Sequence, residues 1–283
     1  VNPIAFGAIF GLTLFAGISI EKFDRDVERD LGHTLVGPHK SIVVHTRVGF
    51  ETIDGIVPQV TIVAKNFSCQ RLPFHVEKWR SHYGHVRHLR IDLQRFTLKG
   101  LAVADLKANI PDVRFDLGFA LSKHHFRLSK SGVGTMSVTI DFKSIETFAS
   151  IKFPQFKDLT LKSTGDRLQV SGRAAFVGLE VPFQLSGVPT VVDETRLILA
   201  DPIAIINGKP VDAPVAEKLL SRFSTLIDLN RDLGTDGGIH LKTFQVTGDA
   251  LIGIGTAQVP DHDTPAETTK DGSETNLKSV PNK

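Results

Sequence analysis

A chain of 283 residues with 41% hydrophobic content can bury one large core or two small ones, and its net charge of +2 is too weakly basic to point to nucleic acid as a main partner. A single cysteine excludes an intrachain disulfide framework. The 19 Phe residues against one Trp and one Tyr are aromatic surface without a polar handle, suited to a core or an apolar lining.

Residues 1–20 carry no charge, and the apolar run from Pro3 to Ile20 is just long enough for a spanning helix, which needs ~20 residues at 1.5 Å each. Pro3, Gly7, Gly11 and Gly17 weaken an isolated helix, and no basic flank or small-residue cleavage site accompanies the run. An uncleaved membrane anchor is expected here, with a cleaved signal and a buried core segment as alternatives. From Glu21 to Val36, Phe23, Val27, Leu31 and Leu35 recur every four residues and predict a helix with a narrow apolar stripe, stopped at Gly37-Pro38. Asp24, Asp26, Glu28 and Asp30, interleaved with Arg25 and Arg29, read as its solvated face. Strands follow over Ile42–Phe50 and Val57–Phe67, around an Asp54-Gly55 turn.

The segment from Arg71 to Lys99 is locally basic. Arg87, Arg90 and Arg95 are candidates for attracting lipid phosphate, because the guanidinium fork matches phosphate oxygens. Trp79 and Tyr83 are candidates for contact at headgroup level. A basic loop on a soluble surface is the plainer alternative. His82, His85 and His88 are three apart, but Gly84 and the strand alternation of Leu89, Ile91 and Leu93 argue against a metal site, so none is expected. Cys69 reads as a buried thiol.

Val113, Phe115, Leu117, Phe119 and Leu121 share one face of a predicted strand, and Phe142, Ile145, Phe148 and Ile151 shift to helical spacing before Pro154. From Asp158 to Val211, short period-two runs alternate with turns at Gly165-Asp166, Val177-Gly178, Asp193-Glu194 and Asn207-Gly208. These runs bring Ala174 and Phe176, then Val181, Phe183 and Leu185, to a sheet whose apolar face needs a cover. After Asp212 and Pro214 a helix is predicted, with Val215, Leu219, Phe223, Leu226 and Ile227 on its apolar face. Strands Ile239–Val246 and Ala250–Ala257 close the fold, and Thr247–Ala257 echoes Thr164–Ala174. Beyond Gln258 the polar, Pro-containing composition predicts a disordered tail over 258–283.

The segments Asp158–Arg173 and Gly178–Gly187, Asp201-Pro202 with the helix after Ala213, and Val86–Leu106 upstream, resemble the LmeA-like phospholipid-binding family over roughly Phe23 to Ala257. The resemblance implies an α+β fold like that of the tubular lipid-binding superfamily: a curved, twisted antiparallel sheet wrapped around amphipathic helices and enclosing an apolar cavity. Residues 21–257 would be one lipid-binding domain. Phe115, Leu117, Phe119, Leu121, Ala174, Phe176, Val181, Phe183, Leu185, Val215, Leu219, Phe223, Leu226 and Ile227 would line the cavity. The implied function is non-enzymatic phospholipid binding or transfer in the bacterial cell envelope, at the extracytoplasmic face of the inner membrane or in the periplasm, with phospholipid and membrane as partners and no cofactor. No nucleophile elbow, phosphate-binding loop or zinc-protease signature occurs in the sequence. The alternative is a structural or scaffolding envelope protein with the same sheet and a filled core.

Overall fold

The computed structural model describes residues 20–72, 76–176, 179–212 and 226–260. Helix α1 (20–34) leads into strands β1 (Ser41–Arg47), β2 (Ile56–Cys69), β3 (Gly84–Leu98) and β4 (Leu101–Phe115), then helix α2 (Leu117–Lys123) and strands β5 (Leu128–Lys130) and β6 (Gly134–Asp141). Helix α3 (Phe142–Lys152) links these to β7 (Phe156–Thr164), β8 (Arg167–Phe176), β9 (Leu179–Val192), β10 (Arg196–Ile206) and β11 (Lys209–Pro210). After residue 225 come β12 (Ile227–Asp228), the short helix α4 (Leu229–Leu233), β13 (Ile239–Thr247) and β14 (Ala250–Ala257). Among the described residues these form an 8-stranded sheet of order β1-β2-β3-β4-β6-β14-β13, with β5 beside β4, and a 6-stranded sheet of order β11-β10-β9-β8-β7, with β12 beside β10.

Strand alternation explains the long sheet once its skips are noticed. On β3 the buried side chains are Val86, then Leu89, Ile91 and Leu93, then Phe96 and Leu98. On β4 they are Leu101 and Val103, then Leu106, Ala108 and Ile110, then Val113 and Phe115. Each jump of three is matched on the neighbouring strand, and the β3–β4 register runs through both levels without a shift. Arg95 on β3 and Asp112 on β4 take the left-handed backbone there, with φ of 49° and 51°. The β2–β3 register is also unbroken at both levels, so the three strands change face together.

Three covers bury this face. Val27 and Leu31 of α1 and Leu35 just after it are buried against it, and Phe23 meets the rings of Phe115 and Phe126 at 6.2 and 5.8 Å. Helix α3 packs on β4, β6 and β7, with Phe142, Ile145 and Phe148 buried. The second sheet closes over the remainder, joined by the Leu241 N–H donating to Glu194 O at 2.7 Å. Buried apolar residues from Val27 to Val259 form one continuous core.

Much of the expected pattern is present. Helix α1 carries the predicted stripe, α3 stands before Pro154, and Gly165-Asp166, Asp193-Glu194 and Asn207-Gly208 are hairpin turns. Four expectations need correction. The sheet is not wholly antiparallel: β2 and β3 run parallel, with β3 starting at the end of the sheet where β2 starts. The strand expected through Val113–Leu121 ends at Phe115, where the Asp116 carboxylate accepts the Phe119 N–H at 2.9 Å and starts α2; Leu117, Phe119 and Leu121 are therefore helical. Leu226 and Ile227 do not extend the helix predicted after Asp212, since Ile227 pairs with Leu197 on β10. Finally, Gln258 and Val259 remain attached to the fold through their N–H groups, which donate to Gly238 O and Ser131 Oγ. The anchor over 1–19, the Val177-Gly178 turn, Val215, Leu219, Phe223 and the tail over 261–283 lie outside the described residues. Among the described residues no helix is long and apolar enough to cross a membrane.

Candidate functional site

An apolar crevice lies against the long sheet in two adjoining parts that share Leu106, Thr235 and Ile239 as lining, and only the first of them is walled by the second sheet. One part, of about 30 Å³, lies between Val103, Met136 and Val138 of the long sheet and Leu197, Ile227, Leu229 and Leu233 opposite. The other, of about 50 Å³, continues past Ala108 and Ile110 to Arg71, Asp236, Gln258 and Pro260, the residues through which it reaches solvent. Pockets that enclose a drug-sized ligand run to roughly 300–1,000 Å³, so the seam as it stands is nearly closed. One wall is α4, held by the Asp228 carboxylate, which accepts the Asn230 and Arg231 N–H groups, and ended by Gly234 in the left-handed region at φ 64°.

The sequence-predicted lining residues fall into separate groups. Phe115 is buried at the end of β4, where Gly84 makes room for it: a Cβ on Gly84 would lie 2.6 Å from the Phe115 ring. Leu117 begins α2 beside Gly55, and Phe119 stacks under the Arg80 guanidinium at 3.6 Å and beside His125 at 5.9 Å. Ala174 and Leu185 are buried on the second sheet, Val181 is half-buried there, and Phe183 meets Phe156 edge-on at 5.4 Å. Leu226 is buried beside Ile227. Among the described residues only Ile227 of the predicted set lines the crevice. The side chains of Leu121 and Phe176 lie outside the described set.

Arg87, Arg90 and Arg95 are exposed on β3, spread over eight residues and therefore about 25 Å of strand. That distance suits an extended anionic surface and prevents all three from gripping one phosphate. Arg87 pairs with Glu51, and Arg95 Nε donates to Asn66 Oδ1 at 2.8 Å. Trp79 and Tyr83 are exposed near the start of β3. The three histidines separate: His82 Nδ1 lies 2.6 Å from the buried Ser129 hydroxyl, His85 Nε2 lies 3.2 Å from Asp112, and His88 is exposed. Among the described residues no group of His, Cys, Asp and Glu could hold a metal ion. Burial pushes the Cys69 thiol up to about 12, which keeps it protonated at neutral pH.

The acidic residues of α1 are not a solvated face, and this was the main feature missed. Asp26 and Asp30 are buried. Asp26 Oδ2 lies 2.7 Å from His124 Nδ1, and Asp30 Oδ1 lies 2.8 Å from His125 Nδ1. Arg127 Nη1 donates to Asp30 Oδ2 at 2.6 Å, the Phe126 N–H donates to the same oxygen, and Arg127 Nε stands 3.3 Å from Glu77. Burial acts to raise the Asp30 pKa, but the hydrogen bonds from His125 and Arg127, the Arg127 charge and the Phe126 N–H together hold the carboxyl below its usual value. Asp24 accepts from the Thr46 hydroxyl and Glu28 from the Val44 N–H, fastening α1 to β1. The available signal was position: Asp26 and Asp30 immediately precede Val27 and Leu31 and so border the buried stripe.

The molecule is thus a two-sheet β protein with an apolar crevice along its seam. The chain belongs to the LmeA-like phospholipid-binding family, whose family model matches residues 83–256, more than half of the 283 residues and the whole span from the start of β3 to the end of β14 but one residue. Neither a curated protein nor a solved structure gives a significant match to the chain.

Proposed function

We propose that the protein is a non-enzymatic phospholipid-binding or lipid-transfer protein of the bacterial cell envelope, working at the extracytoplasmic face of the inner membrane or in the periplasm, with the segment over residues 1–20 as its anchor. The observation that carries this reading is the apolar crevice inside the region that matches the phospholipid-binding family. Acyl chains enter the seam by parting α4 and β12 from the long sheet, which exchanges apolar contacts for apolar contacts with little change in hydrophobic free energy. Arg71, exposed beside the crevice, offers a guanidinium to the phosphate, while Arg87, Arg90 and Arg95 attract anionic membrane from the outer face. The residues predicted on the second sheet, Ala174, Val181, Phe183 and Leu185, supply further apolar surface to a widened seam.

Organic extraction of the purified full-length protein, followed by lipid mass spectrometry and phosphorus assay, tests this. Stoichiometric phospholipid is expected. Absence of lipid, together with no uptake of a fluorescent acyl probe from vesicles, overturns the reading. The small volumes of the two crevice parts favour one competing reading, a scaffolding protein with a filled core, and that second outcome is its signature.

A further inference from the structure

Exposed apolar side chains gather at one end of the long sheet. This is where β1 ends, β2, β3 and β6 begin and β4 finishes, as their registers show: Arg47 lies opposite Gln59, Gly84 opposite Phe115, and Asn109 opposite Thr135. The loops at this end carry Val48, Phe50, Trp79, Tyr83 and Val133, with Phe50 95% exposed, Tyr83 86% and Trp79 69%. Arg47, Arg87, Arg114 and Lys130 stand around them, offset in part by Glu51 and Asp112. Large aromatic side chains held in water at a basic rim match the interface of a bilayer, where amphipathic rings settle at headgroup depth and cations meet anionic lipid.

The larger part of the crevice spans from Arg71 and Leu72, just past the far end of β2, to residues nearer the rim. It passes Ile110 and Ala257, which lie on the rim side of Leu106, and continues to Gln258. The Val259 N–H donates to Ser131 Oγ at 2.9 Å, two residues from Val133, so the border of the crevice and the apolar rim are joined by a hydrogen bond.

We infer that this end of the long sheet is the membrane-docking edge, with Phe50, Trp79 and Tyr83 inserted at headgroup level in a bilayer containing anionic phospholipid. The inference rests on the phospholipid-binding reading above and adds an orientation and Phe50 to it. Ile151, 72% exposed in the last turn of α3, which starts where β6 ends at the side of the sheet away from the rim, serves as an internal control.

Trp79 is the only tryptophan, so the full-length chain reports its own rim. With vesicles of phosphatidylcholine and phosphatidylglycerol, Trp79 emission is expected to shift to the blue and to be quenched by lipids brominated on their acyl chains. A Trp79→Phe, Ile151→Trp variant should show neither change, even if residues 1–20 hold the chain on the vesicle. The double change Phe50→Ser and Tyr83→Ser, checked by an unaltered melting transition, should weaken rim insertion by roughly tenfold or more for the lost apolar burial. Trp79 left unquenched in vesicle-bound protein, equal quenching at position 151, or an unaffected Phe50→Ser, Tyr83→Ser protein each overturns the docking edge. Lipid extraction separates the two claims: extracted phospholipid with Trp79 unquenched removes the docking edge and leaves lipid binding, whereas a quenched Trp79 in a protein that extracts and takes up no lipid supports the edge and removes the ligand crevice.

Discussion

The long sheet is covered by two kinds of contact, and they differ in what they allow to move. Where α1 crosses it, directional bonds dominate: Asp26 with His124, Asp30 with His125, Arg127 and Phe126, Glu28 with Val44. Along the seam, the apolar side chains of Leu197, Ile227, Leu229 and Leu233 face Val103, Met136 and Val138, and directional contacts are fewer, the Leu241 N–H to Glu194 O bond and the Lys152 pair with Asp232 of α4 among them. A buried ion pair has one good geometry, and separating it leaves a charge stranded in low dielectric. An apolar seam can reseat on another apolar surface, an acyl chain included. The clasped region is therefore the frame, and the proposed acyl-chain route runs through the less constrained seam.

The largest expected effect breaks the frame. Asp30→Ala strands Arg127 and the Phe126 N–H, and should cost about 3 kcal/mol in urea unfolding, at the lower end of the ~3–5 kcal/mol for a broken buried pair because Glu77 still faces Arg127. An unfolding midpoint within error of the parent would show that the clasp does not hold α1. The same group sets an acid limb. Its folded pKa is depressed, so its contribution is fully present above the unfolded carboxylate value of ~3.9 and is lost as pH falls through the lower folded value. Asp30→Asn should flatten the decline of stability in that acid range; a slope equal to the parent's would assign the decline to other carboxylates.

The contrast is sharpened by adding volume to each region. Ala108 lines the crevice, whereas Ala64 is wholly buried on β2. Ala64→Phe should cost the ~1–3 kcal/mol typical of an overpacked core or more, whereas Ala108→Phe should cost less and abolish uptake of an acyl probe. Equal thermal destabilisation with uptake retained would count against a yielding seam. The smallest effect is on the outer face. Arg90 has no partner among the described residues, so Arg90→Ser should leave folding unchanged and weaken binding to anionic vesicles by about 1 kcal/mol, an increment that fades at high salt. Persistence of the difference at high salt would argue for a specific bond instead of surface attraction.

The two regions also differed in how far they could be read from sequence. Strand identity on β3 and β4 was carried by local period-two spacing, whereas the three-residue jumps from Val86 to Leu89 and from Leu93 to Phe96 were not read from it. The α1 stripe was equally plain. Its acidic residues were misjudged because a carboxylate bordering the stripe looks the same whether it meets water or His124, His125 and Arg127, which lie more than ninety positions away. The lining set was assembled from strand faces, and a face reveals only that a side chain turns inward.

What sequence alone determined here is what neighbouring residues decide among themselves: alternation, the helical stripe, turns built on Gly and Asp, and the segments that carry the family resemblance. Tertiary structure decided which buried face meets which. It placed Phe115 against α1, Ile227 in the seam, Arg71 beside the crevice, and Phe50 with Trp79 and Tyr83 at one end of the sheet. Apolar burial is non-directional and rewards any inward-facing partner, so periodicity marks the face and leaves the partner open. Here the partners were chosen by the β2–β3 pairing and the carboxylates of α1, which act only once distant segments have come together, while the Asp116 cap ended a strand locally and started α2.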